Sequence, residues 1–424
     1  MKTLQDWLTW QESLHLTAID LGLERIREVA ARMGLLAIHV PLITVAGTNG
    51  KGSTVTVLAS ILQAAGYRVG AYTSPHIRSY NERIAVDGVP VTDTDIVAAF
   101  EAIEAVRQGV SLTYFEFGTL AAMRVFRQHA VEAIVLEVGL GGRLDATNLW
   151  DADVAVITAI GIDHVDWLGD DREVIGWEKG GIARAGRPMV CGDPDPPLSI
   201  ARVAATLPAP LLQYGRDFRV EPGADAVTFS VVLEQDGKVT DWRDMPRPAI
   251  GGTAQCLNVA HSLVALSQLG ERLPMPGYRA VVQGIGQARL TGRLQKIHNA
   301  PDIWIDVAHN PHAAEKLAEW LKSHTIGGRT LALFSMLGDK DIVGVVRPLL
   351  PLVDEWHYFP LLEKRGASLE KLREVMLQLS VDHAVPWLDF KHAWAGLNPR
   401  LNHDDRLVVF GSFLVVSSML EVIS

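Results

Sequence analysis

The chain has 424 residues, of which 48% are hydrophobic and 21% are Asp, Glu, Lys or Arg, and its formal net charge at pH 7 is −10. A chain of this length is too long for a single ordinary hydrophobic core, so two or three domains are expected. The negative charge argues against a nucleic-acid partner held on a general basic surface, although a local Lys/Arg cluster could still bind an anionic substrate. The two cysteines, Cys191 and Cys256, lack metal-ligand spacing, so neither a disulfide framework nor a zinc site is predicted.

The start of the chain carries acidic and polar residues where a signal peptide needs an apolar core. No run approaches the ~18 apolar residues of a membrane span. We therefore expect a cytoplasmic protein without a membrane partner. Residues 7–14 and 23–33 are predicted to be amphipathic helices. The apolar linker 15–22 between them is either a plain helix-to-helix turn or one wall of a binding cleft.

A phosphate-binding loop is predicted at residues 42–54, which read LITVAGTNGKGST. A buried strand, 42–46, runs into a glycine-rich turn, and residues 55–65 are predicted to be a helix. Such a turn directs backbone N–H groups and a helix N-terminus at a polyphosphate. Lys51 would reach the β- and γ-phosphates, and the Ser53 hydroxyl would contact Mg²⁺. Gly52 separates these residues, unlike in the common P-loop; the alternative is a glycine-rich turn with an incidental lysine, but ATP binding is favoured.

Strands and helices alternate along the rest of the first half, which predicts a parallel sheet. The predicted strands are 67–72, 133–138 and 154–158, and the predicted helices are 95–107 and 113–129. Residues 82–86 and 89–91 are predicted to form a hairpin through Asp87 and Gly88.

The pattern changes to short β-like pieces over 211–247, followed by a helix over 253–269. The helical period stops within 289–295, which is the candidate domain boundary. Strands at 303–307, 330–334 and 407–410 then predict a second α/β unit without a phosphate loop of its own. The predicted domains are 1–292 and 293–424. The predicted fold is α/β, with an N-terminal P-loop-type ATPase domain built on a mainly parallel sheet and a smaller C-terminal Rossmann-like domain.

Polar residues follow these strands at their carboxyl ends, where ligands gather in open parallel sheets. Ser74 and His76 follow the second strand, Glu137 lies near the end of AIVLEV, and Asp163-His164 follows VAVIT. Burying an unpaired carboxylate is costly, so a metal-side role for Glu137 is favoured over a core role. A histidine alone would be a core or loop residue, but its position beside Asp163 after a strand favours a functional role.

Four further segments contain glycine-rich or polar patterns. GLGGR (139–143) is followed by a loop composition instead of a helix, so a nicotinamide or flavin site is rejected. Lys179 lies on a predicted helix, where an exposed lysine is the default. In the second unit, residues 306–311 and 338–341 again place polar groups at strand ends. Two such sets on two domains suggest one cleft that closes over substrate.

These motifs together resemble the Mur ligase superfamily, and within it the folylpolyglutamate synthase/dihydrofolate synthase family. The motifs that carry the resemblance occur in the family's order and are GTNGKGS (47–53), TSPH (73–76), FEFGT (115–119), LEVGLGGRLDATN (136–148), IDH (162–164), EKGGI (178–182), DVAHNP (306–311) and GDKD (338–341). The LEVGLGGRLDATN string is the most specific. Chain length and LTAIDLGLER (16–25) look most like the bifunctional bacterial members.

The resemblance implies a role for each matching residue. The residues implied to hold ATP are Thr48, Asn49, Gly50, Lys51, Asn258, Arg293 and Asp306. Two Mg²⁺ ions would be bound by Ser74, Glu137 and His164, alongside the Ser53 hydroxyl. The pteroate substrate would lie against Asp20, Leu21, Gly22, Leu23, Thr113, Tyr114, Phe115, Glu116, Leu144, Asp145 and Ala146. The implied catalytic residues are Lys51, Lys179, which matches a carbamylated lysine, and His309, near the incoming glutamate.

The sequence departs from the family pattern at three places. Gly180 stands where alanine is common, which should leave Lys179 in place. Residues 252–257 keep only part of the usual pattern before Asn258. Leu414 stands where close relatives have histidine, and we attach no function to this change.

The implied activity is ATP-dependent ligation of L-glutamate to dihydropteroate and to tetrahydrofolate through an acyl phosphate. Small molecules are the expected partners of a monomeric enzyme. A monofunctional folate ligase and a cell-wall Mur-type ligase remain as alternatives. A non-catalytic nucleotide-gated regulator is disfavoured by the combination of Ser74, Glu137, His164 and Lys179. A plain P-loop kinase or ATPase would not need a second domain bearing DVAHNP.

Overall fold

The computed structural model describes residues 2–15, 17, 19–223, 227–252 and 254–423. Leu16 and Ala18 of the LTAIDLGLER segment, and Thr253 at the predicted start of a helix, lie outside the described residues. Within these ranges, no helix combines the length and the apolar character needed to cross a membrane. The chain divides into two compact units. The first comprises Met1–Gly161, Val165–Ala249 and Gln255–Arg289, and the second comprises Ile162–His164, Ile250–Ala254 and Leu290–Ser424.

The first unit is built on an eight-stranded sheet. Its strands are β1 (Leu42–Ala46), β2 (Val69–Tyr72), β3 (Ile84–Val86), β4 (Val89–Pro90), β5 (Ala133–Glu137), β6 (Val154–Ile157), β7 (Met189–Cys191) and β8 (Leu211–Gln213). The spatial order is β4-β3-β2-β5-β1-β6-β7-β8. The strands from β2 to β8 in this order run parallel, and β3 and β4 form an antiparallel hairpin. The predicted mainly parallel sheet is confirmed.

A separate three-stranded antiparallel sheet follows in the same unit. It consists of β9 (Phe218–Pro222), β10 (Thr228–Gln235) and β11 (Lys238–Pro246), in the order β11-β10-β9. Together with β8, these strands account for the short β-like pieces predicted over 211–247. The long alternating runs face water on one side, as the mixed burial of β10 shows.

Ten α-helices belong to the first unit within the described ranges. They are α1 (Leu4–Glu12), α2 (Glu24–Arg32), α3 (Lys51–Ala64), α4 (Asp93–Arg107), α5 (Tyr114–Gln128), α6 (Val165–Leu168), α7 (Arg172–Gly180), α8 (Leu198–Thr206), α9 (Gln255–Ser267) and α10 (Tyr278–Gln287). Helix α3 begins four residues earlier than predicted, because Gly50 takes a left-handed conformation (φ 87°) as its N-cap and Lys51 is already helical. This places Lys51 in the first turn.

The core of the first unit explains why its central strands are continuously apolar. β1, β2, β5 and β6 are buried at every position, as expected when both faces of a parallel sheet are covered. One core cluster contains Phe100, Phe117 and Phe126, which come from α4 and α5 and are fully buried. Burial of a phenylalanine contributes about 1.5–3 kcal/mol of transfer free energy, so these side chains stabilise the packing of α4 and α5 in this core.

The second unit contains a six-stranded sheet with an antiparallel edge. Its strands are β12 (Gln295–Asn299), β13 (Asp302–Asp306), β14 (Thr330–Phe334), β15 (Glu355–Tyr358), β16 (Val385–Pro386) and β17 (Arg406–Phe410), in the order β12-β13-β17-β14-β15-β16. β12 pairs antiparallel with β13, and the other pairs are parallel. Its helices are α11 (Pro311–Ser323), α12 (Ile342–Val346), α13 (Leu369–Gln378), α14 (Phe390–Leu397) and α15 (Phe413–Ile423). The predicted C-terminal α/β unit is confirmed, and three of its strands, β12, β15 and β16, were not predicted.

Candidate active site

The loop between β1 and α3 has the geometry of a phosphate cradle. Gly47 has a φ of 152°, and a Cβ added there would lie 1.9 Å from the Thr158 Oγ1 atom. The Thr158 hydroxyl donates to the Asn49 carbonyl at 2.7 Å. The loop is therefore wrapped around a threonine from the end of β6, and glycine is required at position 47 because no side chain fits.

Three hydrogen bonds of Thr48 fix the start of the loop. The Thr48 N–H donates to the Ala159 carbonyl at 2.6 Å. The Thr48 hydroxyl donates to the Gly161 carbonyl and accepts from the Gly161 N–H, both at 2.9 Å. These bonds anchor the loop to the segment after β6 and leave the N–H groups that open α3 at the helix N-terminus, where anions bind favourably.

Asn258 lies against the other side of the same loop. A Cβ on Gly50 would come within 2.8 Å of Asn258 Oδ1, and Asn258 Nδ2 donates to Gln255 Oε1 at 2.9 Å. The structure thus brings Asn258, predicted to contact nucleotide, to the phosphate loop from a position more than 200 residues later in the chain. The partial match of the sequence before Asn258 has not displaced this side chain.

Lys51 and Ser53, which are predicted to contact phosphate and Mg²⁺, have different surroundings. The Lys51 ammonium donates to the Gly47 carbonyl at 3.0 Å and to the Thr48 carbonyl at 3.3 Å, so it folds back over the loop. Ser53 lies in the first turn of α3 and is 1% exposed. Both occupy the end of α3 that faces the cradle, as the sequence predicted for a lysine and a hydroxyl flanking phosphates.

Glu137 and Ser74 are brought into direct contact. Glu137 is the last residue of β5, pairs with Val45 of β1, and is only 4% exposed. Its Oε2 accepts from the Ser74 backbone N–H at 3.0 Å. A buried carboxylate at the strand edge beside the phosphate loop is a suitable ligand for a hard cation.

The chemistry of Glu137 and the nearby serine hydroxyl groups limits the kind of metal ion that they could bind. Among the residues that the structure describes, no three His, Cys, Asp or Glu side chains cluster closely enough for a protein-only metal site. Mg²⁺ usually takes one or two carboxylates and completes its shell with phosphate oxygens and water. Glu137, Ser53 and Ser74 offer one carboxylate and two hydroxyl groups. They lie beside a loop in which a Cβ at Gly47 would not fit. This donor set suits a cation that binds together with a phosphate.

Lys179 is held near the C-terminus of α7, where it is 3% exposed. The backbone of the GLGGR segment packs directly on this turn, since a Cβ on Gly142 would lie 2.9 Å from Lys179 Cα. The Arg143 N–H donates to the Glu178 carbonyl at 2.9 Å, and its guanidinium lies 4.5 Å from the Trp177 ring centroid. GLGGR is therefore a clamp that fixes the lysine turn, consistent with its rejection as a dinucleotide site. The default of an exposed lysine does not hold here.

Asp145 organises the loop that follows β5. One carboxylate oxygen accepts from the Gly139 and Leu140 N–H groups, each at 3.0 Å. The other accepts from the Thr147 N–H at 3.0 Å and hydroxyl at 2.6 Å. Burial raises the pKa of Asp145 despite these bonds. Its neighbours in the predicted pteroate segment differ in exposure: Leu144 is 41% exposed, and Ala146 is buried.

The two other predicted pteroate segments meet through Arg25. Arg25 donates to Asp20 Oδ2 at 2.7 Å and lies 3.3 Å from Glu116 Oε1. Glu116 also accepts from the Thr113 N–H at 2.8 Å in a capping box that starts α5. Asp20 and Glu116, which are 96 residues apart by sequence numbering, are thus joined by one guanidinium.

The remaining members of these segments line the same region of the first unit. Leu21, Gly22 and Leu23 are partly exposed before α2. The Phe115 ring covers the Gly139 backbone, since a Cβ there would be 2.6 Å from it. The Tyr114 ring packs edge-on to Tyr80, with centroids 5.7 Å apart.

In the second unit, Asp306 ends β13 and holds the turn after it. Its two carboxylate oxygens accept from the Leu294 and Ala308 N–H groups, each at 2.7 Å. Burial raises the pKa of Asp306, and the neighbouring Arg293 opposes this rise. The Arg293 guanidinium lies 5.4 Å from the Phe413 ring centroid. Arg293 and Asp306, both predicted to contact nucleotide, are neighbours.

His309 follows β13 in the same unit, and its Nδ1 atom is a hydrogen-bond donor. Its Nδ1 lies 2.7 Å from the Val307 carbonyl, and because a carbonyl can only accept, Nδ1 carries the proton. Its Nε2 lies 3.6 Å from Asp163 Oδ2. Burial alone would raise the pKa of Asp163, but the contact with His309 and the Lys340 ammonium hold it well below its usual range. His164, the predicted metal ligand, is the next residue and has a left-handed backbone (φ 54°).

Comparisons with known proteins agree with this geometry. The Mur ligase middle domain matches residues 45–185, and the Mur ligase glutamate ligase domain matches residues 292–413. The dihydrofolate synthase/folylpolyglutamate synthase of Escherichia coli strain K12 is 43% identical over 420 residues, which are 99% of this chain and 95% of that protein. The chain belongs to the dihydrofolate synthase/folylpolyglutamate synthase family. The predicted resemblance is confirmed.

Solved structures of the family superpose over the full chain. One is E. coli FolC in complex with DHPP and ADP, with a TM-score of 0.92, 42% identity, and coverage of 100% of this chain and 98% of that one. Another is a bifunctional folylpolyglutamate synthase/dihydrofolate synthase with Mn, AMPPNP and L-glutamate bound, with a TM-score of 0.91, 41% identity and the same coverage. The predicted α/β architecture is therefore that of the family.

Several residues that shape the candidate site were not predicted from sequence. Thr158 supports the predicted phosphate loop, Arg25 joins two predicted pteroate segments, and Asp163 contacts three residues of the second unit. Arg25 ends the LTAIDLGLER string and Asp163 opens the Asp-His pair, so both lay inside recognised motifs. Thr158 carried only the weak signal of a hydroxyl residue at a strand end.

Proposed function

We propose that the chain is a bifunctional ligase that adds L-glutamate to dihydropteroate, giving dihydrofolate, and to tetrahydrofolate, giving polyglutamates, while ATP is converted to ADP and phosphate. The observation that carries this proposal is the match to the E. coli dihydrofolate synthase/folylpolyglutamate synthase at 43% identity over 99% of the chain. Support also comes from similar structures that hold ADP, AMPPNP, Mn and L-glutamate.

The proposed reaction has two steps. A carboxylate oxygen of the folate substrate attacks the γ-phosphorus of ATP in line, the bond to the β-phosphate oxygen breaks, and ADP leaves. The amino nitrogen of L-glutamate then attacks the acyl carbon of the acyl phosphate. Phosphate leaves with the electron pair of the C–O bond, and the nitrogen loses a proton to give the amide. Phosphorylation is needed because a free carboxylate is a poor acylating agent.

The phosphate loop would bind the triphosphate and stabilise the transferring group. Thr48 anchors the loop through its N–H and hydroxyl, and the backbone from Asn49 and Gly50 into the N-terminus of α3 would supply preorganised N–H donors. Lys51 would exchange its loop carbonyls for the β- and γ-phosphates. The other residues proposed to contact the nucleotide are Asn258, Arg293 and Asp306.

A divalent cation, proposed to be Mg²⁺ in two positions, would be held by Ser53, Ser74, Glu137 and His164. When bound, it neutralises charge on the phosphates and on the transferring phosphoryl group. The chain's own part is to orient the Glu137 carboxylate, which the Ser74 N–H supports by donating to it. The glutamine variant of this residue keeps an acceptor but loses the charge.

Lys179 is proposed to act as its carbamate. Carbamylation converts the ammonium into a carboxylate-like anion, and the clamp formed by Gly142 and Arg143 would hold this anion in one orientation. The pteroate is proposed to lie against the segments joined by Arg25 and the loop held by Asp145, and His309 is proposed to contact the incoming glutamate.

A monofunctional enzyme is the second candidate, because the Lacticaseibacillus casei relative, 34% identical over 70% of this chain and 72% of its own length, is named folylpolyglutamate synthase alone. The deciding experiment measures glutamate-dependent ADP release by the purified chain with dihydropteroate and, separately, with tetrahydrofolate. The bifunctional proposal expects release and a glutamylated product in both reactions. Release with only one substrate would establish the monofunctional alternative, and release with neither would refute the ligase.

A further inference from the structure

One buried carboxylate in the second unit has no role in the proposed reaction but is surrounded by hydrogen-bond donors. Asp163 is 8% exposed at its side chain and accepts from the Lys340 ammonium at 2.5 Å. Its other oxygen accepts from Asn310 Nδ2 at 3.1 Å and lies 3.6 Å from His309 Nε2. The His164 N–H donates at 2.7 Å to Oδ1, the same oxygen that accepts from Lys340.

These contacts join three segments of the second unit that are distant in sequence. Asp163 belongs to the tripeptide 162–164, His309 and Asn310 follow β13, and Lys340 lies in the GDKD turn before α12. Lys340 is only 7% exposed, so its charge depends on a neighbouring anion. Asp163 is the carboxylate in contact with it.

The orientation of His309 is determined from both ends of its ring. Nδ1–H donates to the Val307 carbonyl at 2.7 Å, and Nε2 faces the Asp163 carboxylate. Asn310 is fixed in the same way, because its Oδ1 caps α11 by accepting from the Ala313 N–H at 2.9 Å while its Nδ2 donates to Asp163. Removing the Asp163 carboxylate would remove one of the contacts that orient His309 and Asn310.

We infer that Asp163 is a positioning residue for glutamate capture: its carboxylate gathers Lys340, Asn310 and His309 and sets the direction in which the His309 ring faces its substrate. This inference rests on the proposed ligase function for the identity of that substrate. The positioning itself depends only on the second unit.

The test compares three variants of the full chain. D163N removes the charge but keeps the shape, and it leaves the Lys340 ammonium buried without its anion. D163N/K340M removes both charges, so it relieves that electrostatic cost without restoring the carboxylate that faces His309 Nε2. Asp302→Asn is the matched control from the same unit, since Asp302 at the start of β13 pairs at 2.7 Å with the Lys296 ammonium and both side chains are partly exposed.

The expected kinetic result separates positioning from folding. D163N lowers the melting temperature, and D163N/K340M recovers most of that loss. In both variants the KM for L-glutamate rises about tenfold or more, which corresponds to a loss of about 1.4 kcal/mol of binding free energy, and the KM for ATP stays near the wild-type value. Asp302→Asn changes neither the glutamate KM nor the ATP KM. A glutamate KM that returns to normal in D163N/K340M would show a purely structural ion pair and would overturn the inference.

A second readout does not depend on ligation. In protein labelled with ¹⁵N-histidine, the His309 ring signals are expected to shift in D163N and D163N/K340M and to stay unchanged in Asp302→Asn. Unchanged His309 signals in both Asp163 variants would refute the positioning role even in an active ligase. Shifted signals in a chain without glutamate-dependent ADP release would refute the proposed function and leave the positioning of His309 supported.

Discussion

The Thr158 hydroxyl donates to the Asn49 carbonyl at 2.7 Å, and so the residue that follows β6 holds the centre of the phosphate loop. Thr158→Val keeps the shape of the side chain and removes the donor. Thr158 is 1% exposed and its bond to Asn49 is partly buried, so leaving the Asn49 carbonyl without this donor is expected to cost about 1 kcal/mol, the low end of the range for buried groups. We expect a lower free energy of unfolding in urea and a KM for ATP raised by about tenfold, the equivalent of ~1.4 kcal/mol.

The matched control for this change is Thr206→Val. Thr206 is exposed on α8, where its hydroxyl donates to the Arg202 carbonyl at 2.8 Å, so the control also removes a hydroxyl-to-carbonyl bond. It should leave the KM for ATP unchanged. Equal ATP affinity in both variants would mean that Thr158 does not support the loop.

Glu137→Gln tests the buried carboxylate at the end of β5. Glutamine can still accept from the Ser74 N–H, so the fold and melting temperature should be preserved. The loss of the negative charge should lower kcat by at least about a hundredfold, or ~2.7 kcal/mol of transition-state free energy. Glu132→Gln is the control next to the other end of the same strand, since Glu132 accepts from the Arg68 N–H at 2.8 Å but is exposed. Near-normal turnover by Glu137→Gln would remove this residue from the metal site.

Arg25→Met tests the bridge between the two proposed pteroate segments. Methionine keeps the apolar stem and removes the guanidinium that contacts Asp20 and Glu116. We expect the KM for dihydropteroate to rise about tenfold, equivalent to ~1.4 kcal/mol, while the KM for ATP is unaffected. Arg27→Met, an exposed change on the same helix α2, should alter neither constant. Equal dihydropteroate KM values in the two variants would contradict a role for the bridge.

The buried His261 is expected to lower the stability of the first unit at acid pH. It is 1% exposed in α9, packed on the Gly192 backbone, and burial lowers its pKa from 6.5 to about 3. Between these values the unfolded chain binds a proton that the folded chain does not, so stability falls as the pH drops through this window. The slope from one such proton is at most about 1.4 kcal/mol per pH unit.

His261→Leu should therefore flatten the pH dependence of the free energy of unfolding, measured by urea titration from pH 6.5 to about pH 4. His403→Gln, which changes a largely exposed histidine, serves as the control. An unchanged acid slope in His261→Leu would show that this histidine does not contribute to acid unfolding.

The parts of the fold that could be predicted from sequence are those with a local physical signature. β1 and β5 are continuous apolar runs, and Gly47 and Gly50 mark the turn that follows β1, so strand, loop and helix were placed correctly apart from the first turn of α3. The rule that ligands gather at the carboxyl ends of parallel strands also predicted that Ser74 and Glu137 would be neighbours, and they are in contact.

The parts that could not be predicted depend on contacts between distant segments. β16 has two residues and β12 is mostly exposed, so neither carries the apolar pattern of a strand. The contact of Asp163 with Lys340 spans 177 positions, and that of Arg25 with Glu116 spans two elements with no shared periodicity. No local pattern in one sequence records such pairs.

The central claim is that ATP is used to make an acyl phosphate on a folate carboxylate, and trapping this intermediate tests the claim most directly. The chain is incubated with ATP, Mg²⁺ and dihydropteroate in hydroxylamine without glutamate, and the products are analysed by mass spectrometry. The account predicts a pteroyl hydroxamate formed together with ADP, present only when both ATP and dihydropteroate are supplied, and lost in Glu137→Gln. The absence of hydroxamate from an enzyme that still forms dihydrofolate when glutamate is added would contradict the proposed intermediate.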